Sequence, residues 1–106
     1  MDIEGVDAMI GEKDRCFLCG QRERYGDPLD RHHIFGGPFR QKSEKYGLVV
    51  KLHHKSCHLY GPDAVHQNRD SMLAVKRWGE KWLLEQGWTV EQFIREFGKN
   101  YLEEEE

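Results

Sequence analysis

The expected fold of this chain depends most on residues 47–58, which read GLVVKLHHKSCH. The first half is apolar and β-branched, so it predicts a strand over residues 47–52. The second half places two adjacent histidines and a cysteine within a few positions. We expect a short helix to start near Lys55 or Ser56 and to be interrupted by Gly61, Pro62 and Asp63.

A second pair of metal-type ligands lies upstream, where Cys16 and Cys19 flank two residues and Gly20 follows. This pattern is typical of a zinc knuckle, and with His54 and Cys57 it gives a tetrahedral site of three thiolates and one imidazole. The spacing favours His54, which leaves two residues before Cys57. His53 would leave three and stays an alternative. Three cysteines in this arrangement suit a reducing compartment and a metal better than disulfides.

Four further histidines are too many and too widely spaced to belong to the zinc site: His32, His33, His58 and His66. A hydrolytic metal centre needs a few protein ligands, an open position and a nearby base, and imidazole serves as ligand or as base near neutral pH. The first two lie on a strand expected over residues 29–35, where neighbouring side chains point to opposite faces. Both can serve one site only if the strand ends or twists there, which Gly36 and Gly37 permit.

The charge of the chain is unevenly distributed. The formal net charge is −3, yet residues 15–102 carry 15 Lys and Arg against 10 Asp and Glu. Residues 31–55 contain six bases and one acid, Glu44. A local basic stretch is what phosphate binding requires. The candidate DNA-binding residues are Arg31, Arg40, Lys42 and Lys45.

The last third of the chain is predicted to be helical. Asp70 or Ser71 is expected to cap a helix that runs to about Gln86, with Met72, Val75, Trp78 and Trp82 on its buried side. Thr89 and Gln92 form a capping box that opens a second helix, and its apolar stripe is Val90, Phe93, Ile94 and Phe97. The predicted organisation is an N-terminal arm (1–14), one domain (15–102) and an acidic tail (103–106).

Taken together, these motifs resemble the HNH endonucleases, also called His-Me finger nucleases, and specifically the small zinc-containing kind found in phages and prophages. The resemblance covers residues 15–68 and is carried by the Cys-x-x-Cys pair, the DRHHIF stretch at residues 30–35, the strand over residues 47–52, and the later histidines. It implies an α+β fold, in which a ββα-metal core and a structural zinc knuckle precede two C-terminal helices.

The resemblance also implies an activity, metal-dependent hydrolysis of DNA phosphodiester bonds. By position, His33 corresponds to the general base, and His32, His58 and His66 correspond to ligands of one catalytic divalent metal, Mg²⁺, Mn²⁺, Ni²⁺ or Zn²⁺. Arg31 or Arg40 would add positive charge near the phosphate. DNA is the implied partner, and family members often act near phage packaging or recombination proteins.

The chain departs from the family pattern in three places. The middle asparagine of the family aligns near Gly47, which has no side chain to brace the loop that bears the base, and Asn68 is the possible substitute. The second knuckle reads His-x-x-Cys-His instead of Cys-x-x-Cys-His. The spacing from His58 to His66 exceeds one helical turn, so a loop must bring His66 back.

The alternative function is a catalytically inactive zinc module that binds DNA or a phage protein, which would need the zinc ligands but not His33. The sequence contains no apolar run long enough to span a bilayer and no signal peptide. The expected location is therefore the cytoplasm of a bacterial host cell, with no membrane association.

Overall fold

The computed structural model describes residues 11–102. Five elements follow one another: β1 (Leu29–His33), α1 (Arg40–Lys45), β2 (Val49–His53), α2 (Arg69–Glu85) and α3 (Val90–Phe97). A 3₁₀ turn (Gly37–Phe39) precedes α1, and a π-helical turn (His54–Leu59) follows β2. The chain is thus a small α+β protein, as the sequence predicts.

The two strands form an antiparallel hairpin that sets the positions of the histidines. Leu29 pairs with His53 and His33 pairs with Val49. The first strand ends two residues earlier than expected, because the backbone of Phe35 forms its hydrogen bonds with the side chain of Ser43 and not with β2. The Ser43 hydroxyl accepts from the Phe35 amide at 2.9 Å and donates to the Phe35 carbonyl at 3.0 Å. Both strands are short, and the last residues of each, together with residues just beyond their ends, build the sites.

The basic segment between the strands was expected to be a loop over residues 39–46, and most of it instead forms α1. Pro38 lies in the 3₁₀ turn, and the chain continues directly into α1. Gly47 then adopts a φ of +73°, which closes the connection to β2, and its amide donates to the Glu44 carbonyl at 3.2 Å. The helix fixes the directions of its charged side chains, so Glu44 and Lys42 leave it on different sides.

The C-terminal helices were predicted well apart from their exact ends. The cap of α2 is Asn68, whose side-chain oxygen accepts from the Ser71 amide at 3.0 Å, rather than Asp70 or Ser71. The Thr89 hydroxyl accepts from the Gln92 amide at 3.0 Å and caps α3 as expected. Gly98, with a φ of +88°, ends α3.

The core joins these helices to the hairpin. Phe35 contacts Phe93 and Phe97, with ring centroids 5.5 Å and 4.7 Å apart. In the predicted apolar stripes, Val75, Phe93 and Phe97 are buried, whereas Val90 and Ile94 are 37% and 40% exposed. We therefore assign the aromatic residues of α3 to the core, as predicted.

Residues 11–14 contact the hairpin, where the Gly11 amide donates to the Val49 carbonyl at 3.2 Å. Residues 1–10 of the predicted arm and the acidic tail (103–106) lie outside the described residues. The division of the chain at residue 14 stays a prediction. Within residues 11–102, no helix is both long and apolar enough to cross a membrane.

Candidate metal centres

Among residues 11–102, three groups of metal-type ligands form around the hairpin. The first consists of Cys16, Cys19, His53 and Cys57, the second of His32, His58 and His66, and the third, which shares His58 with the second, of Asp30, His54 and His58. Within each group the candidate ligand atoms lie within 4.8 Å of one another. The histidines of the second group are those that the resemblance implied as metal ligands, whereas the first group contains His53 where the spacing favoured His54.

The cysteine group is assembled by the knuckle and the end of β2. Gly20, with a φ of +77°, closes the knuckle by donating its amide to the Cys16 carbonyl at 2.8 Å. The Phe17 amide donates to the Lys51 carbonyl at 2.8 Å, and the Phe17 ring lies 4.7 Å from that of Trp78. The knuckle is therefore held against both β2 and α2.

His53, not His54, completes this group. The His53 Nδ1 atom lies 3.4 Å from the Cys19 sulfur and 3.9 Å from the Cys57 sulfur. Its Nε2 donates to the Arg22 carbonyl at 2.8 Å, which leaves the lone pair of the neutral ring on Nδ1, facing the sulfurs. The prediction of His54 as zinc ligand was wrong because adjacent residues at a strand end project to opposite faces.

The chemistry of this donor set fits a cation. Burial and the neighbouring Cys16 thiol raise the pKa of Cys57 to about 12. Burial also opposes ionisation of Cys16, but hydrogen bonds to the backbone of Cys19 and His53 lower its pKa overall. Three thiolates together need a positive charge among them, so the group can hold a metal ion and is compatible with a structural zinc.

The histidine group depends on a chain reversal after the π-helical turn. Gly61 makes this reversal possible, since a side chain there would come within 2.1 Å of the Ser56 carbonyl oxygen. The returning chain is held by the His66 amide, which donates to the His58 carbonyl at 3.2 Å. The loop that the spacing required therefore exists, and the ring centroids of His58 and His66 lie 4.9 Å apart.

His32 has a buried ring nitrogen that is available to bind a metal ion. Its ring is buried, 6% exposed, and within the described part of the chain its Nε2 has no hydrogen-bond partner. Burial, followed by the nearby charges of His58 and His66, lowers the pKa of His32 to about 3. A buried neutral imidazole with a free lone pair is costly unless a ligand uses it, so the group fits a divalent cation.

Asp30 orients the histidine group from behind, a role that we did not expect. One of its oxygens, Oδ2, accepts from His58 Nδ1 at 2.9 Å and from His54 Nδ1 at 2.7 Å. A carboxylate bound to Nδ1 leaves the lone pair of neutral His58 on Nε2, as in many carboxylate–histidine–metal arrangements. Partial burial opposes ionisation of Asp30, but these hydrogen bonds lower its pKa. The sequence signal was its place two residues before His32.

His33 lies beside the three histidines but is not one of the group. It lines the same cleft of about 290 Å³ with His32, His58 and His66. Its Nε2 donates to Glu44 Oε1 at 2.7 Å, and the other carboxylate oxygen accepts from Arg31 at 2.6 Å. The hydrogen bonds from Arg31 and His33 lower the pKa of Glu44. Glu44 was missed, although it is the single acid in residues 31–55.

Of the four candidate DNA-binding residues, two lie at the histidine cleft and two lie elsewhere. Arg31 and Arg40 line the histidine cleft. Lys42 instead contacts α3, where its Nζ donates to the Glu96 carbonyl at 3.0 Å, and the Lys45 Nζ lies 5.3 Å from the centroid of the Tyr46 ring. A DNA-binding role for these two lysines stays a prediction.

Asn68 does not brace the base. Its side-chain oxygen caps α2, and its amide nitrogen donates to the Pro62 carbonyl at 3.3 Å. The suggestion that Asn68 substitutes for the family asparagine was wrong, because capping a helix uses the side chain locally. The contact with His33 comes instead from Glu44, three residues before Gly47.

No protein-family model matches this chain, and neither does any curated protein or solved structure. The resemblance to HNH nucleases therefore remains an expectation that rests on the sequence motifs.

Proposed function

We propose that this protein is a metal-dependent endonuclease of the HNH type that hydrolyses DNA phosphodiester bonds. The observation that carries the proposal is the convergence of His32, His58 and His66 in one cleft with His33, Arg31 and Arg40. Ligands for one cation, a separate imidazole and two guanidinium groups are the parts that phosphodiester hydrolysis requires.

The proposed fold is a ββα-metal core, whose elements would follow one another in the order in which this chain has them. β1, β2 and the π-helical turn would correspond to a ββα-metal core, with the ligands supplied by the first strand, the turn and the loop after it. The cysteine group would hold a structural Zn²⁺. Because this ion joins the knuckle to the end of β2, metal binding and folding would be coupled.

In the proposed reaction, His33 is the general base. Its Nε2–H is directed at Glu44, so the lone pair of the neutral ring is on Nδ1 and takes a proton from the attacking water. The new bond joins this water oxygen to phosphorus, the bond from phosphorus to the 3′ oxygen breaks, and the leaving oxygen takes a proton from solvent. Arg31 and Arg40 bind and orient the phosphate.

The cation would be held by His32, His58 and His66. When bound, it supplies a Lewis acid that stabilises the negative charge developing on the phosphate. Asp30 keeps His58 in the required tautomer and orientation, and burial keeps His32 neutral.

The direct test is nicking of a supercoiled plasmid in Mg²⁺, Mn²⁺, Ni²⁺ or Zn²⁺. We expect the unsubstituted protein to nick in at least one of these metals. His32→Ala should lose nicking together with the cation of the histidine group, while it keeps the zinc of the cysteine group. A protein that stays folded by circular dichroism but nicks in none of the four metals would favour the inactive zinc module.

Glu44 gives a second prediction about the same site. We expect Glu44→Ala to lower the nicking rate by roughly tenfold or more, since a base loses efficiency when the group that orients it is removed. Glu44→Gln should also lower the rate, because its single amide oxygen cannot accept from both Arg31 and His33 and it lacks the negative charge that stabilises protonated His33. The measurement is single-turnover nicking at saturating metal.

Glu85→Ala is the matched control, since Glu85 is an exposed carboxylate at the end of α2. It should nick at the unsubstituted rate. Faster nicking by Glu44→Ala would contradict the orienting role, and would mean that Glu44 competes with the phosphate for Arg31 and His33.

A further inference from the structure

A second cavity, of about 500 Å³, adjoins the histidine cleft and shares His66 with it. Its other side carries Lys76 from α2 and Lys99 from the segment after α3. We infer that this cavity binds a backbone phosphate of the nucleic acid next to the one that is cleaved. The inference rests on the proposed function and extends the substrate contact beyond the cleft.

The two lysines are brought together by the ring of Tyr101. The Nζ atoms of Lys76 and Lys99 lie 5.3 Å and 5.2 Å from its centroid. The Tyr101 backbone is held by its amide, which donates to the buried carboxylate of Glu80 at 2.8 Å, and its ring centroid lies 5.6 Å from that of Phe35. The Tyr101 carbonyl accepts from Arg77 Nε at 3.1 Å. The structure therefore places two cations close to one aromatic ring, and both line the same cavity.

Neither lysine of the cavity is paired with a carboxylate of the described residues, and the buried acid Glu80 is bound by the Tyr101 amide. Burial and the nearby charge of Lys99 lower the pKa of Lys76, so the two ammonium groups repel each other. An anion bound in the cavity that both lysines line would offset this repulsion, and a phosphate supplies several acceptor oxygens for the two ammonium groups.

The position of the cavity favours a phosphate of a polynucleotide over a free phosphate ion. Arg31 and Arg40 line the histidine cleft, and the two lysines lie beyond His66. Charge is thus placed on both sides of the candidate cation site, as expected for a backbone that passes across it. Contacts of this kind position the substrate without reading its sequence.

The test is binding of a fluorescently labelled DNA duplex, measured by anisotropy at several NaCl concentrations in a His33→Ala background that does not cleave. We expect Lys76→Gln and Lys99→Gln each to weaken binding by about tenfold. Each should also make the negative slope of log affinity against log salt shallower by about 1. Lys76→Arg, which keeps the charge, should bind nearly as well as the parent.

Lys81→Gln is the control, because Lys81 is an exposed lysine on the same helix that does not line the cavity. Thermal unfolding of every variant checks the fold, and exposed Lys99 carries the test if Lys76→Gln fails to fold. A variant that carries both Lys76→Gln and Lys99→Gln should show the largest effect. If its affinity and salt slope equal those of Lys81→Gln, the inference is overturned.

The outcomes separate this inference from the proposed function. If the unsubstituted protein nicks DNA but the lysines do not affect binding, the phosphate site alone is wrong. If the lysines matter for binding but no metal supports nicking, the nuclease proposal alone is wrong. Absence of DNA binding by the parent protein would overturn both.

Discussion

Replacing His33 with alanine is expected to lower the nicking rate by a factor of about 10²–10⁴ while the protein keeps its fold and its metals. The expectation follows from the position of His33, which lines the cleft of the three histidines but directs its Nε2 at Glu44. A side chain that transfers the proton without holding the cation affects the rate and not the metal content.

The measurement is single-turnover nicking together with metal analysis of the same preparations. His32→Ala is the comparison, because His32 is the neighbouring residue on β1 and belongs to the group of candidate ligands. We expect His32→Ala to lose metal and His33→Ala to keep it. Equal metal loss in the two variants, or an unchanged rate in His33→Ala, would contradict the division of roles.

The second large effect is expected at the other ligand group. His53→Ala should lose the tightly bound zinc and most of the folded population, whereas His54→Ala should keep its zinc. Apparent binding free energies of structural zinc are about 10–16 kcal/mol at neutral pH. Small domains are stable by only about 5–15 kcal/mol, so weakening this site removes much of the stability.

The two variants form a matched pair, since they remove neighbouring imidazoles and only one of these faces the sulfurs. Zinc per chain and thermal unfolding, each with and without a chelator, give the readout. Retention of zinc by His53→Ala and its loss from His54→Ala would restore the assignment based on spacing. A purified protein without any zinc would contradict the structural site itself.

Much of the site was predictable because its signals are local. The Cys-x-x-Cys pair with Gly20 predicts the knuckle, since a tight turn with both thiols on one side needs only a few residues. The capping box of Thr89 and the stripe on α3 are likewise properties of one helix. The histidines of the second group were expected as well, but their division from His33 came from the family resemblance and not from the spacing.

The errors came where two segments meet. In the sequence, Glu44 is one acid among bases, and no local pattern connects it with His33, eleven residues earlier. Asn68 lay close to His66 in the sequence, yet its side chain was used by the helix it begins. The basic segment between the two strands formed α1 instead of the expected loop, and this helix directs Lys42 towards Glu96.

The sequence alone determined which chemistry this protein can offer: three thiols, six imidazoles, a basic central stretch and the helices that cover the hairpin. Only the tertiary structure decided which imidazole belongs to which group, and which lysines face each other. The physical reason is that neighbouring residues at a strand end point to opposite faces. A choice such as His53 over His54 is therefore made by strand register and by the segments that pack on each face.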